Sequence, residues 1–246
     1  MNAIHPNRHT EAWARFAGRI GKPTAILAIS AHWYVGATAV TAMASPRTIH
    51  DFSGFPDDLF RVQYPAPGSP DLARRVAELL APVEVVQDDG HWGLDHGTWS
   101  VLAQMYPDAD VPVVQLSIDA RATFEEHLAM GAALAPLREE GVLVLASGNM
   151  VHNLSRMDWT LDEGGFGWAV DFDDWTREVV SAEPARLVDA PKHAHYRTSV
   201  PTPEHFIPAL YVAGIASAAG GGVRTEIVTG GCAYGSISMT SWAVVD

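Results

Sequence analysis

The chain carries a single cysteine, Cys232, in 246 residues. A disulfide framework and a cysteine-built metal cluster are therefore both excluded within one chain, and the shortage of thiols fits a reducing compartment. Basic residues are scarce as well. Sixteen Lys and Arg stand against 29 Asp and Glu, a formal net charge of −13. With that balance, nucleic acid and anionic membrane surfaces are poor partners. No apolar run reaches the ~20 residues of a membrane span, and no charged-then-apolar leader opens the sequence. A soluble, cytoplasmic protein is the expectation. Several catalytic signatures are missing too. There is no GxSxG elbow, no GxxxxGK(S/T) loop, no GxGxxG behind a strand and no HExxH, which argues against an α/β-hydrolase, a phosphate-cradling loop and a zincin.

What the chain has instead is histidine and aromatic side chains, with eleven His and eight Trp. Hydrophobic residues at 48% and charged residues at 18% are enough to bury a substantial core, with no signature of disorder. The apolar runs 24–30, 112–118 and 142–147 read as buried strands, and 39–43 and 83–86 as shorter ones. Helices are predicted over most of 1–22, from Ser69 or Asp71 through Leu80, and over 98–105 behind Thr98 or Ser100. Further helices are predicted from the Thr123–Glu126 capping box to about Glu140, over 169–182, and from Thr202-Pro203-Glu204 toward Ala219, with Gly220-Gly221-Gly222 as the stop. Segments 223–228 and 236–245 alternate as closing strands. No repeat, low-complexity tract or linker divides the chain. Residues 1–246 are expected to form one α/β domain with a central, mostly parallel sheet flanked by helices.

Three histidines stand where a site would be built. His32 follows the first strand, His152 follows the strand 142–147, and His205 is predicted in the first turn of a helix. Open α/β sheets place ligands beyond the ends of their strands, and a helix N-terminus disfavours the imidazolium, leaving a neutral ring to act as a ligand. His96 is a fourth candidate, with Asp95 beside it to orient a ring nitrogen. Imidazole and carboxylate donors without thiolates suit Fe(II), Zn or Mn. His5, His9, His127 and His193 are expected to be ordinary surface or core residues, and Cys232 a small buried one. The Pro- and Gly-rich stretches around 48–56 and 64–70 are expected to form a long loop, either functional or packed by its own aromatics.

Eight short motifs occur in an order known from one family. They are Ser30-Ala31-His32-Trp33, Ile49-His50-Asp51-Phe52, Tyr64-Pro65-Ala66-Pro67-Gly68, Asp95-His96-Gly97-Thr98-Trp99, Val114-Gln115-Leu116-Ser117, Ser147-Gly148-Asn149, Val151-His152-Asn153-Leu154 and Thr202-Pro203-Glu204-His205. The chain closely resembles the DODA-type extradiol ring-opening dioxygenases, the 4,5-DOPA dioxygenase-like branch of the class III, LigB-like superfamily. The resemblance implies a mononuclear non-haem Fe(II) site, sometimes seen with Zn, and cleavage of a catechol by O₂. It implies that His32 and His205 are metal ligands. His152 is implied to be either a further ligand or the acid/base, and His96 a pocket histidine that contacts substrate or oxygen. The partners implied are a small aromatic diol and O₂, with homo-oligomerisation left open.

The family's chains also carry an apolar strand ending in Gly-His-Gly-Ser-Pro directly before the position of Met1-Asn2, and its histidine is a metal ligand. The 246 residues do not include it, so weak metal binding and low or no turnover are expected of this form unless water or His152 completes the shell. Two further readings use the same residues. One is a zinc-dependent hydrolase-like enzyme. The other is a non-catalytic binding protein, in which Arg197 and His195 form either an anion clamp or a plain solvated loop.

Overall fold

The computed structural model describes residues 4–220 and 222–246. The predicted features at residues 1–3, including Met1-Asn2, and at Gly221 lie outside the described residues. The chain divides into two compact units: the chain up to Arg121 together with Pro136–Ser147, and Ala122–Ala135 together with Gly148–Asp246.

The first unit is built on a five-stranded sheet. Its strands are β1 (Ala25–Val35), β2 (Ala39–Thr41), β3 (Val86–Asp88), β4 (Val113–Asp119) and β5 (Val142–Ser147), in the order β3-β2-β4-β1-β5. β1 runs parallel to both β4 and β5, and β2 parallel to β3; only β2 and β4 are antiparallel. The predicted mostly parallel α/β sheet is therefore present. The β2–β4 junction is short and is reinforced by side chains. Ser117 Oγ accepts the Ala39 N–H and donates to the Ala37 carbonyl, and Thr41 Oγ1 accepts the Gln115 N–H. The bonds of Ser117 Oγ account for one polar side chain inside the buried run Val113–Ile118, and the second, Gln115, is satisfied by Thr98 and Asp95.

Helices α1 (Arg8–Ile20), α2 (Asp57–Phe60), α3 (Pro70–Leu80) and α4 (His96–Met105) complete this unit. α1 starts in a capping box between Asn7 and Thr10 and stops at Gly21, whose φ of 78° favours glycine. Ser69 caps α3, as its sequence predicts. Ile26 and Ala28 of β1 face Trp99, Leu102 and Met105 of α4, with Trp13 and Phe16 of α1 packed against the same cluster. Each fully buried side chain of this size contributes about 1.5–3 kcal/mol.

Several boundaries differ from the sequence expectation. β3 begins three residues later than the predicted 83–86 strand, because Val83 closes a turn onto the Leu80 carbonyl. α4 begins at His96 and its cap is Asp95, whose carboxylate accepts the Thr98 N–H. β5 was expected to be fully buried, yet only Val142 is; it pairs with β1 alone and lies at one edge of the sheet.

The second unit contains α5 (Phe124–Ala133), α6 (Gly167–Ala182), α7 (Tyr196–Ser199) and α8 (Ile207–Ala218). Two antiparallel strand pairs join them: β6 (Arg224–Thr229) with β9 (Ser241–Val245), and β7 (Cys232–Ala233) with β8 (Ile237–Ser238). The predicted strand 236–245 is thus two strands, divided where Thr240 donates its backbone N–H to Ser238 Oγ. The Thr123–Glu126 capping box forms as predicted, although α5 ends at Ala133 and a 3₁₀ turn covers Ala135–Arg138.

α5 and α8 cross closely at glycine. A Cβ on Gly214 would overlap the Leu128 carbonyl and lie 2.6 Å from the Ala132 nitrogen. Gly214→Ala is therefore expected to cost about 1–3 kcal/mol by overpacking, despite the better helix propensity of Ala. A urea midpoint at or above that of the wild type would refute the close crossing.

Candidate active site

In the first unit, β1 does not end before His32, as the sequence suggests; it continues to Val35. Its register with β4 breaks between Ile29, opposite Leu116, and Tyr34, opposite Ile118. Five residues on one strand thus span two on the other, and His32 rides on this irregular stretch. Bulges of this kind re-aim side chains next to functional sites. The His32 N–H donates to Ser30 Oγ at 3.2 Å.

His96 opens α4. Its ring lies 3.9 Å from that of His32, centroid to centroid. Both rings face a residue outside the four candidate histidines, Asp51. Its Oδ2 is 3.0 Å from His96 Nδ1 and 3.3 Å from His32 Nδ1, and its Oδ1 accepts the His96 backbone N–H at 2.9 Å. Burial works to raise the Asp51 pKa, but the hydrogen bonds from His96 and the nearby charge of both histidines outweigh it and hold the carboxyl below the usual range.

The donor atoms of His32, Asp51 and His96 all fall within 4.8 Å of one another. Two imidazoles and one carboxylate form the nitrogen–oxygen donor set that suits Fe(II), Zn or Mn, so these residues fit a metal of the expected kind. The signal for Asp51 was present in the motif Ile49-His50-Asp51-Phe52, inside the Pro- and Gly-rich loop.

Asp95 is placed differently from expectation. Instead of orienting a ring nitrogen of His96, it caps α4 and is buried among Gln115, Ser30 and Thr98. Burial raises its pKa against the hydrogen bonds from Gln115 and Ser30. The loop packs on its own aromatics, and one of them reaches His96. Phe52 packs on Phe55 and Phe60 and sets its ring edge-on to His96, 5.1 Å away. Trp99 anchors the loop by donating to the Ile49 carbonyl.

In the second unit, the segment after β5 is held at several points. Asn149 donates its side-chain amide to the Ser238 carbonyl and accepts at Oδ1 from the His205 ring side, where Nδ1 is 3.3 Å away. The Asn149 N–H bonds the His205 carbonyl, and the His152 N–H bonds the Ser199 carbonyl. The rings of His152 and His205 stack face to face, 3.5 Å apart and within 6° of parallel. His205 does not sit in the first turn of a helix. α8 starts at Ile207, and Thr202 donates to the Glu204 carboxylate instead of capping a helix. His205 thus precedes α8 and is oriented by Asn149 instead of by a helix N-terminus.

Of the predicted set, then, the first unit brings together His32 and His96, and the second His152 and His205. His9 and His127 are buried, the latter 3.0 Å from the Tyr211 hydroxyl, and Cys232 is buried as expected.

The chain matches the family model described as the catalytic LigB subunit of aromatic ring-opening dioxygenase over residues 3–245. It belongs to that family. A 4,5-DOPA dioxygenase extradiol from Escherichia coli K12 is 45% identical over 98% of this chain and 89% of its own length. One from Beta vulgaris is 41% identical over 89% of this chain and 84% of its own. The crystal structure of an uncharacterised protein from Escherichia coli K12 superposes with a TM-score of 0.85 at 39% identity, covering 99% of this chain and 94% of that one. The resemblance and the LigB-like α/β fold expected from the motifs both hold.

Proposed function

We propose that this chain is an Fe(II)-dependent extradiol dioxygenase that opens a catechol of the DOPA type, consuming one O₂ per ring and placing both oxygen atoms in the product. The observation that carries the proposal is the pairing of His32 and His96 around one carboxylate, in a chain of the LigB family. A divalent metal supplies Lewis acidity when bound, lowering the pKa of a phenol and bringing O₂ to it.

The chain's own residues do the rest. We assign His32 and His205 as metal ligands, and His152 as a further ligand or the acid/base. His96 contacts substrate or oxygen, and in the acid/base role a neutral imidazole such as His152 would take the second phenolic proton and return it. Phe52, edge-on to His96, offers an apolar wall for an aromatic ring and keeps water from it. We also read residues 1–246 as one catalytic domain acting in the cytoplasm. Among the described residues, no helix is long and apolar enough to cross a membrane.

The test is oxygen uptake with a panel of catechols after anaerobic Fe(II) loading. Uptake above the metal-free control is expected, together with a coloured ring-opened product, and His96→Ala and His152→Ala are each expected to lower kcat about 10²–10⁴-fold. Metal binding without any oxygen uptake would overturn the proposal in favour of a zinc-dependent hydrolase or a binding protein on the same residues.

A further inference from the structure

We infer that Asp51 is a positioning residue that sets two histidines with one carboxylate, taking the Nδ1–H of both His32 and His96 on Oδ2 so that each ring keeps Nε2 as its unprotonated nitrogen. The separations are 3.3 Å and 3.0 Å, and Oδ1 of the same carboxylate holds the His96 backbone N–H at 2.9 Å. Asp51 therefore grips His96 by ring and main chain together.

The tautomer follows from the chemistry of the contact. An ionised carboxylate only accepts hydrogen bonds. A bare Nδ1 lone pair facing Oδ2 at these distances would set two acceptors against each other, so each Nδ1 carries the proton. Neutral histidine in water favours the opposite form, with the proton on Nε2, so the arrangement is imposed by Asp51. His96 Nδ1 is buried and has no partner in full hydrogen-bond geometry, and Asp51 Oδ2 stands 3.0 Å from it. Nε2 stands on the far side of each ring from Nδ1, so both histidines present a lone pair away from Asp51. A carboxylate behind a ligating histidine fixes its tautomer and raises its basicity. Here a single carboxylate faces two rings only 3.9 Å apart.

The competing arrangement is that Asp51 and both Nδ1 atoms themselves clasp an ion, since all three lie within 4.8 Å. Long-range ¹H–¹⁵N correlation spectra of the ¹⁵N-histidine-labelled, metal-free chain at neutral pH separate the two. His32→Gln and His96→Gln assign the signals. Both rings are expected in the Nδ1–H form in the wild type. Asp51→Ala is expected to return both to the Nε2–H form. The isosteric Asp51→Asn, which keeps one acceptor oxygen should the Ala variant not fold, is expected to return at least one.

Adding Zn²⁺, a closed-shell probe, is expected to leave both Nδ1 protons in place, and its affinity is expected to fall about 10–100-fold in Asp51→Asn. An Nε2–H form of either ring in the wild type, unchanged tautomers in both variants, or loss of the Nδ1 protons on Zn²⁺ binding would each overturn the inference. Its bearing on turnover rests on the dioxygenase reading, but the spectra do not. A chain with the expected tautomers and no oxygen uptake would sink that reading and leave Asp51 where it is put here.

Discussion

Gly97→Ala is expected to lower kcat/KM for catechol opening about 100-fold while leaving the chain folded, a loss typical of displacing a reacting group by about 1 Å. Gly97 is the second residue of α4, directly after His96. A Cβ there would overlap Ser30 Oγ, lie 2.9 Å from His32 Cδ2 and come within 3.3 Å of Asp95 Oδ1. None of these neighbours yields easily. Asp95 is fully buried as the cap of α4, and Ser30 Oγ holds the His32 backbone N–H. The strain therefore falls on the His32 ring and on its distances to Asp51 and His96. Ala is the better helix former by up to ~1 kcal/mol, so circular dichroism should show no loss of helix. Gly148→Ala is the companion test in the second unit, where the added Cβ would overlap the His205 carbonyl and lie 3.1 Å from Pro208 Cγ. If steady-state oxygen uptake by Gly97→Ala stayed within about threefold of the wild type, the close packing of α4 on His32 would be of no consequence to the reaction.

Much of the scaffold follows from local pattern. Thr123 and Glu126 form their capping box, Ser69 caps α3, and the apolar runs at 25–29, 113–118 and 142–147 are strands of one sheet. These features depend on neighbours within a few residues, where propensity and periodicity act. The departures depend on partners far away in the chain. Hydrophobic alternation cannot show that β1 continues past Ile29, because its pairing there skips three residues. His205 looked helical because Thr202 and Pro203 are good helix starters, yet the chain turns tightly at 203–206, with Phe206 bonded back to Pro203, before α8 begins. Asp51 was the costliest omission. Its value lies in reaching a backbone N–H 45 residues away, and its local mark is the motif Ile49-His50-Asp51-Phe52, which does not show that partner. Punctuation in the sequence singled out the four histidines, although β1 runs on past His32 and α8 begins after His205, while the carboxylate and amide beside them were not singled out.

Asp173→Ala is expected to destabilise the chain by about 3 kcal/mol and to loosen the support of His152. Asp173 lies on α6, almost wholly buried, and accepts the Ser238 hydroxyl at 2.5 Å and the Thr240 hydroxyl at 2.8 Å; Arg177 Nε stands 3.2 Å away. Ser238 is in β8, and the hairpin it belongs to holds the histidine-bearing segment. The Ser238 N–H bonds the Val151 carbonyl, and Ser236 Oγ donates to the Asn153 carbonyl. Removing the carboxylate takes the acceptor from the buried Ser238 hydroxyl and the half-buried Thr240 hydroxyl, and leaves Arg177 with Asp174 as its remaining carboxylate. The effect also has a definite pH dependence. Burial raises the Asp173 pKa above its ordinary 3.8, against the hydrogen bonds of Ser238 and Thr240 and the charge of Arg177. A carboxyl whose pKa is higher folded than unfolded contributes its full stabilisation below the unfolded value and loses part of it as pH rises through the folded value. The gap in unfolding free energy between wild type and Asp173→Ala should therefore be widest near pH 4 and narrow toward pH 7. Urea titrations at both pH values measure it. A gap that widened with rising pH would mean that the hydrogen bonds and Arg177 outweigh burial at this carboxylate, and that α6 holds the β7–β8 hairpin through a charge that is fully ionised when folded.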